Sequence, residues 1–575
     1  MSETVTEPPP TQKSLPPVED PDARYAKKPK GWVFYPALAI IGLFVAITLA
    51  FPEQFAEFVE TGNTAVVNGL GWYYVLIVTG FIFFAVWMAF GRRGDIVLGK
   101  DDEPAEFGLL SWFAMLFAAG MGIGLVFWGV AEPLWHTAWP PPNMAGSSEE
   151  TIAQAAMTRT FLHWGLHAWA IYVVVGLSMA YAVHRRGRPV SIRYALEPLL
   201  GRRVEGWLGN TIDVIAIVGT IFGVATSLGF GVAQIAGGLQ FLGFAEDTTP
   251  LQVGLIFGIT ALATVSVVSG LDKGIKWLSN FNMVMAVVLL LVVLVLGPAT
   301  LFILREFVHT LGAYFQGFFG LAFQTLPFYG PEGEEWLGAW TTYYWGWWMS
   351  WAPFVGIFIA RISKGRTVRE FILGVLLVPT TVTFIWFSTM GGTALWAEMF
   401  GDGGLIVDGD VDNTTSLFQM LELIPGTAVL SGLAILLIVI FFVTSSDSGS
   451  FVVDMISHGG SANPPVWSRV TWSVLEGVIA AVVLWAAGQE LGLRALQVLA
   501  IFVAAPFSVV MIGMCFATTI AFNKETKDQQ RLERASLRRE LALEVAEAQQ
   551  RGELTGASAA TAASPTKRRG LGRRR

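Results

Sequence analysis

The chain has 575 residues, 53% hydrophobic and only 14% charged, with a mean hydropathy of +0.56 and a formal net charge of −7. These values exclude a soluble globular domain and leave no basic footprint for nucleic acid, so an integral membrane protein is expected. Cys515 is the sole cysteine, which excludes an intramolecular disulfide and argues against redox chemistry.

Residues 1–31 are Pro-rich and mixed in charge, as in a disordered cytoplasmic leader, and no cleavable signal peptide is expected in them. Apolar runs long enough to cross roughly 30 Å of hydrocarbon follow at about 33–51, 71–90, 108–134, 157–183, 207–243, 251–270, 279–303, 338–361, 370–397, 427–454, 467–487 and 495–521. Twelve spans are thus predicted in a transporter-sized domain at 32–522. Between the seventh and eighth, residues 305–323 are aromatic but interrupted by charge, the pattern of an interfacial amphipathic helix. Strong helix formers with interspersed acid and base predict a charged helix over about 524–551. Gly552 ends it, and a linker leads to Lys567, Arg568, Arg569, Arg573, Arg574 and Arg575, so 523–575 reads as a largely helical cytoplasmic tail. Such a basic cluster is drawn to anionic lipid by roughly 1 kcal/mol per residue; a solvated tail that helps set topology is the other reading.

Orientation follows from Lys and Arg, which accumulate on the cytoplasmic side. With both termini inside, Lys27, Lys28, Lys30, Arg92, Arg93, the basic residues of 185–203, Lys273, Lys276 and those of 361–369 are cytoplasmic. Only Arg159, Arg305 and Arg494 fall elsewhere, and the opposite loops carry acid, as at Glu53, Glu149 and Glu332. A multi-pass protein of the cell membrane with both termini cytoplasmic is expected.

Four stretches carry candidate chemistry. In A-A-G-M-G-I-G, Gly120, Gly122 and Gly124 weaken a helix at mid-span, each by about 1 kcal/mol relative to Ala. An opened segment there would present carbonyls to a cation and amides to a carboxylate; close helix packing through small residues is the alternative. In F-L-H-W-G-L-H-A-W-A-I-Y, helical spacing puts Trp164, Trp169 and Tyr172 on one face of the helix, suited either to a core or to a cation cage. His163 and His167 stand four apart on that helix, but two ligands without a third are weak evidence for a metal. The third stretch, F-F-V-T-S-S-D-S-G-S over 441–450, places hydroxyls and a carboxylate in an apolar span, which suits a hard cation such as sodium; hydroxyls also bond back to their own helix. The fourth, W-T-T-Y-Y-W-G-W-W-M-S-W over 340–351, is too long to stay in one headgroup layer, so some rings lie deep, where ring faces attract quaternary ammonium. Trp340 is expected to be an interface anchor.

Jointly, G-M-G-I-G at 120–124, H-W-x-x-H-x-W-x-x-Y at 163–172 and W-x-x-x-Y-W-x-W-W-x-x-W at 340–351 resemble the betaine/choline/carnitine transporter family, over nearly all twelve spans. The resemblance implies an all-α, LeuT-like core of two inverted five-helix repeats, spans 3–7 and 8–12, after two extra helices. It also implies a homotrimer to which 305–323 contributes. Its aromatic box falls on Trp164, Trp169, Tyr172 and Trp348, with Trp347 and Trp351 along the pathway and Gly120, Gly122 and Gly124 beside it. One sodium site falls on carbonyls of Ala118, Met121 and Phe441 and hydroxyls of Thr444 and Ser445. A second would use Thr220 and Phe354, but the threonine expected one turn after Thr220 is Val224.

Proton-coupled choline members carry aspartate where this chain has Gly124, whereas a zwitterion brings its own carboxylate. The resemblance therefore implies sodium-coupled uptake of glycine betaine or a close zwitterion by alternating access, for osmoprotection, with osmotic regulation through the tail. Proton-coupled choline uptake, or carnitine or ectoine transport, is the alternative on the same fold. No paired acid and base or nucleophile motif supports an enzyme, and no cofactor beyond the coupling ion is expected.

Overall fold

The computed structural model describes residues 28–120, 122–269 and 272–551. Most of the N-terminal leader, Met121 and the basic terminus beyond 551 lie outside the described residues. Among the described residues the chain is all-α apart from two isolated β-bridges, Val97 with Thr367 and Val407 with Asp410.

The long helices, in chain order, are α1 (Gly31–Ala50), α2 (Pro52–Ala89), α3 (Leu109–Gly120), α4 (Ile123–Ala138), α5 (Glu149–Trp164), α6 (Leu166–Ala180), α7 (Trp207–Phe241) and α8 (Thr249–Ser269). There follow α9 (Asp272–Leu296), α10 (Thr300–Ala322), α11 (Tyr343–Ile362), α12 (Val368–Phe400), α13 (Thr427–Ser457), α14 (Val466–Ala487) and α15 (Gln489–Gln550). The chain divides into two compact units, Met1–Thr519 and Ile520–Arg575. In the second, residues 520–550 are helical and exposed over most of their length.

Among the described residues, ten helices are long and apolar enough to cross a membrane by length and composition. Two of the expected spans fail that criterion for different reasons. The run at 108–134 is divided into α3 and α4, of 12 and 16 residues. The other is α11, 20 residues long, whose Trp and Tyr rank as weakly polar on hydropathy scales although every one of them is buried.

Burial separates a core from a rim. The apolar stretch of Glu149–Arg185 is 89% buried and that of Trp207–Phe241 83%, against 28% for both Gly31–Ala50 and Leu278–Leu296. Thus α5, α6 and α7 lie inside the bundle while α1 and α9 present apolar side chains outward, as a lipid-facing helix must. The helix α11 lies along α6 at close range: a Cβ on Gly356 would fall 2.5 Å from Val175 Cγ1 and 3.1 Å from the Gly176 nitrogen. Similarly, α12 approaches α4 where a Cβ on Gly391 would meet Pro133 Cγ at 2.5 Å.

Outside the spans, residues 94–99 pair with the turn between α11 and α12 through backbone bonds from Leu98 to the Arg366 carbonyl (2.8 Å) and from Gly365 to the Leu98 carbonyl (2.9 Å). Lys364 joins Glu103 at 2.7 Å across this clasp. With the Lys100 backbone N–H it holds the Glu103 carboxyl below the usual range. A capping box, Thr367 with Glu370, starts α12 immediately after it. At the start of α7, Arg193 and Asp213 form a fully buried ion pair at 2.6 Å, and Ser191 donates to the same carboxylate at 2.6 Å.

Candidate functional site

Two helix interruptions organise the centre of the bundle. The first separates α3, ending at Gly120, from α4, beginning at Ile123, with Gly122 extended at φ −150°, ψ −170°. Here Gly124 lies against the aromatic run: a Cβ would stand 2.4 Å from Trp347 Cη2 and 3.2 Å from Trp164 Cη2. A Cβ on Gly122 would stand 3.4 Å from Trp351.

The second interruption falls at Gly165, φ −96°, ψ −135°, between α5 and α6. Only glycine fits, because a Cβ would lie 2.4 Å from the Phe161 carbonyl and 2.8 Å from the Phe384 ring. The break corrects the continuous helical face expected for Trp164, Trp169 and Tyr172, since Trp164 ends α5 and the other two belong to α6. It also releases backbone carbonyls that a continuous helix would occupy. Trp348 Nε1 donates to the His163 carbonyl at 2.9 Å, and Thr383 Oγ1 to the Trp164 carbonyl at 3.1 Å. A ring of α11 is thereby fastened to the broken end of α5.

The expected box rings are brought together. Trp164 and Trp348 meet edge to face, with centroids 4.8 Å apart; Tyr172 lies 6.5 Å from Trp348 and 5.5 Å from Trp169, again edge to face. Trp169 therefore joins the group through Tyr172. Trp347 stacks on Trp348 at 4.7 Å and 14°, and Trp351 follows at 6.3 Å from Trp347, its indole donating to the Gly223 carbonyl at 2.8 Å. Trp340, expected at the membrane interface, is instead 4% exposed and packs on His136 at 4.5 Å and Trp128 at 5.6 Å. The π-type turn Gly338–Thr342 ahead of α11 carries it inward.

The hydroxyl-rich stretch lies on α13, which reaches α4 around Gly231 of α7, whose added Cβ would touch both Ile123 (3.0 Å) and Ile438 (3.3 Å). Thr444 Oγ1 donates to the Ile440 carbonyl at 2.9 Å, and the oxygen keeps lone pairs for a cation. Ser446 turns elsewhere, to the fully buried Glu476 of α14 at 2.8 Å. Ser445 is half-buried, and Phe441 supplies a carbonyl one turn before it. Ala118 lies on α3 near the interruption, and Met121 falls outside the described residues. At the second proposed ion position, Thr220 is buried with no hydrogen-bond partner for its hydroxyl, and Phe354 packs on Trp351 at 5.9 Å.

The sequence reading missed the most heavily bonded side chain of the site. Glu132 of α4 is fully buried; its Oε2 accepts from Trp164 Nε1 (2.6 Å) and the Tyr344 hydroxyl (2.5 Å). Its Oε1 pairs with His163 Nδ1 (2.7 Å) and His136 Nε2 (3.3 Å). His163 thus teams with Glu132 and His136 rather than with His167, which stacks on Trp345 beyond the Gly165 break at 5.2 Å. Ligand atoms of Glu132, His136 and His163 lie within 4.8 Å of one another, the spacing of a metal cluster, but all are engaged in this hydrogen-bond network. An acidic residue inside an apolar run was the available signal. A cavity of about 420 Å³ lined by Glu150, Phe302, Arg305, Glu306 and His309, among others, contains none of the box residues.

Comparison with known proteins places the sequence among membrane transporters. The sequence profile described as BCCT, betaine/carnitine/choline family transporter, matches residues 32–527. An uncharacterized transporter of Mycobacterium tuberculosis is 53% identical over 493 residues, covering 85% of this chain and 82% of that protein. The glycine betaine transporter OpuD of Bacillus subtilis is 44% identical over 503 residues, 87% of this chain and 96% of its own. A glycine betaine transporter of Acinetobacter baylyi is 42% identical over 506 residues, 88% and 75% respectively.

Proposed function

The chain belongs to the betaine/carnitine/choline transporter family, and from that premise we propose that it is a sodium-coupled symporter of glycine betaine or a closely related zwitterion. As a member of a transporter family it is a multi-pass membrane protein and not an enzyme. The observation that carries the reading is the convergence of Trp164, Tyr172 and Trp348 from three helices on one helix break. Their edge-to-face contacts already pair the negative face of one ring with the positive edge of another, and a trimethylammonium group competes for the same faces. Substrate entry exchanges ring–edge for ring–cation contacts, each contributing roughly 0.5–2 kcal/mol where water is excluded.

Gly124 supports a zwitterion over choline. A carboxylate side chain there would have to displace Trp347, so the site favours a substrate that brings its own anion. That carboxylate meets backbone groups freed at the Gly120–Gly124 interruption, and sodium is held by carbonyls of Ala118, Met121 and Phe441 with Thr444 and Ser445. A second ion position would fall at Thr220 and Phe354, where Val224 stands in place of the expected threonine. Alternating access operates on two inverted five-helix repeats within twelve spans, the chain assembles as a homotrimer through α10, and both termini are cytoplasmic. Uptake serves osmoprotection, with the charged tail from 523 onward as the osmotic sensor on anionic lipid. The relatives named as glycine betaine transporters, which align with most of the chain, support the substrate class.

The deciding experiment is uptake into proteoliposomes of glycine betaine, carnitine, ectoine and choline, with and without a sodium gradient. Sodium-driven accumulation of betaine, with choline the weaker competitor, is expected. Choline accumulation driven by a proton gradient alone would overturn the reading.

A further inference from the structure

The box lies in a protein interior without a carboxylate at Gly124, yet the buried carboxylate of Glu132 stands at the N–H edge of one of its rings. We propose that Glu132 is a specificity-determining residue: its carboxylate, bonded to the indole N–H of Trp164, makes that ring face select a cationic head group over a neutral one of the same shape. The inference rests on the aromatic-box reading above.

The geometry carries it in three steps. First, the indole N–H can only donate, so Glu132 Oε2, 2.6 Å from Trp164 Nε1, acts as an acceptor there. With the Tyr344 hydroxyl on the same oxygen and ring nitrogens of His163 and His136 within hydrogen-bond distance of the other, the group is surrounded as an ionised carboxylate is, the imidazoles donating in the tautomers that carry a proton on His163 Nδ1 and His136 Nε2. Second, both carboxylate and ring are buried, Glu132 fully and Trp164 at 4% exposure, so the interaction is not screened by water. Third, an anion on the N–H edge pushes electron density toward the ring face, and attraction of a cation to that face is electrostatic. Trp164 meets Trp348 edge to face at 4.8 Å and bonds Glu132 through its N–H, so one indole joins the carboxylate to the group of rings proposed to hold the cation.

The competing account is purely mechanical: Glu132 ties α4 to α5 and α11 and would matter equally for any ligand. A pair of ligands separates the two. Glycine betaine and 3,3-dimethylbutyrate have the same shape and carboxylate, but the second carries carbon in place of the quaternary nitrogen. In Glu132→Gln the side chain keeps its length, the amide oxygen can still accept from Trp164, and the amide N–H can donate to His163 Nδ1 after a change of tautomer. Full-length protein in proteoliposomes is expected to show a betaine KM raised by about fivefold, while the inhibition constant of 3,3-dimethylbutyrate stays within about twofold of the parent. Glu132→Asp, which restores charge, is expected to recover part of the selectivity. Equal weakening of both ligands would overturn the proposal in favour of the mechanical account, and no change in either would also overturn it. If Glu132→Gln does not assemble, Trp164→Phe is compared with Trp348→Phe, whose N–H meets the His163 carbonyl and no carboxylate; a larger selective loss of betaine at Trp164 is expected, and equal selective loss in the two overturns the proposal. Failure of the box itself is read separately, from an unchanged betaine KM in Trp348→Leu.

Discussion

Gly124→Ala is a one-carbon perturbation whose effect can be worked from distances. The added Cβ would fall 2.4 Å from Trp347 Cη2 and 3.2 Å from both Trp347 Cζ2 and Trp164 Cη2, against an ordinary contact that begins at 3.4 Å. Trp347 must therefore move by about 1 Å to relieve the clash. It is not free to do so: it stacks on Trp348 at 4.7 Å and on Tyr343 at 5.5 Å, and its N–H reaches Ser227 Oγ at 3.3 Å. Overpacking of this kind costs about 1–3 kcal/mol, and the displaced ring pushes on the box wall. If about 1.4 kcal/mol of that falls on the loaded state, the betaine KM rises about tenfold. Sodium-driven uptake into proteoliposomes reads it. Trp347→Phe, which lacks the Cη2 and Cζ2 edge, is expected to rescue Gly124→Ala, with a coupling of about 1 kcal/mol in the double-mutant cycle. A wild-type KM in the single variant, or simple additivity in the pair, would refute the packing argument.

Other outcomes follow from the same geometry. Trp348→Leu removes a ring in contact with Trp164 and Tyr172 and is expected to raise the betaine KM at least about tenfold with the fold intact by size-exclusion chromatography. Thr444→Ala combined with Ser445→Ala should raise the sodium concentration for half-maximal uptake severalfold, and unchanged sodium activation would move the ion elsewhere. Arg193→Ala leaves Asp213 buried and uncompensated and is expected to destabilise the protein by about 3–5 kcal/mol, seen as a lowered melting temperature in detergent; an unaltered Tm would show that the pair is replaceable. Because the Glu103 carboxyl is held below its ordinary value, the clasp it makes with Lys364 is supported at neutral pH and weakens as pH falls through that lowered value. Hydrogen-exchange protection of residues 95–104, corrected for the intrinsic exchange rate at each pH, should fall as pH drops through that lowered value, and Lys364→Met should abolish the dependence.

Composition and hydropathy were enough to read a polytopic membrane protein, because burying or facing lipid with an entire helix needs a long apolar run that no tertiary detail can disguise. The aromatic run of 340–351 and the glycine run of 120–124 were equally legible as local departures from helix chemistry. What local pattern could not supply was the Gly165 break. A lone glycine in an apolar helix is weak evidence, and what demands it is the Phe384 ring, 219 residues away in sequence, pressing where a Cβ would be. The break, in turn, sends His163 and His167 to different partners and frees the carbonyl that fastens Trp348.

Trp340 and Glu132 mark the same boundary from two sides. Trp and Tyr prefer the membrane interface on average, but Trp340 is drawn inward by the turn before α11 and by His136 and Trp128 across from it. Glu132 was visible as a charge inside an apolar run, yet its partners His163 and Tyr344 stand 31 and 212 residues away, and only the packing of α4 against α5 and α11 could name them. The sequence by itself determined that this is an all-helical membrane protein with a deep aromatic run and a glycine run at mid-span. The tertiary structure decided which rings meet and where the buried charge lies, because those depend on contacts between helices, and no periodicity along one chain segment encodes the position of another.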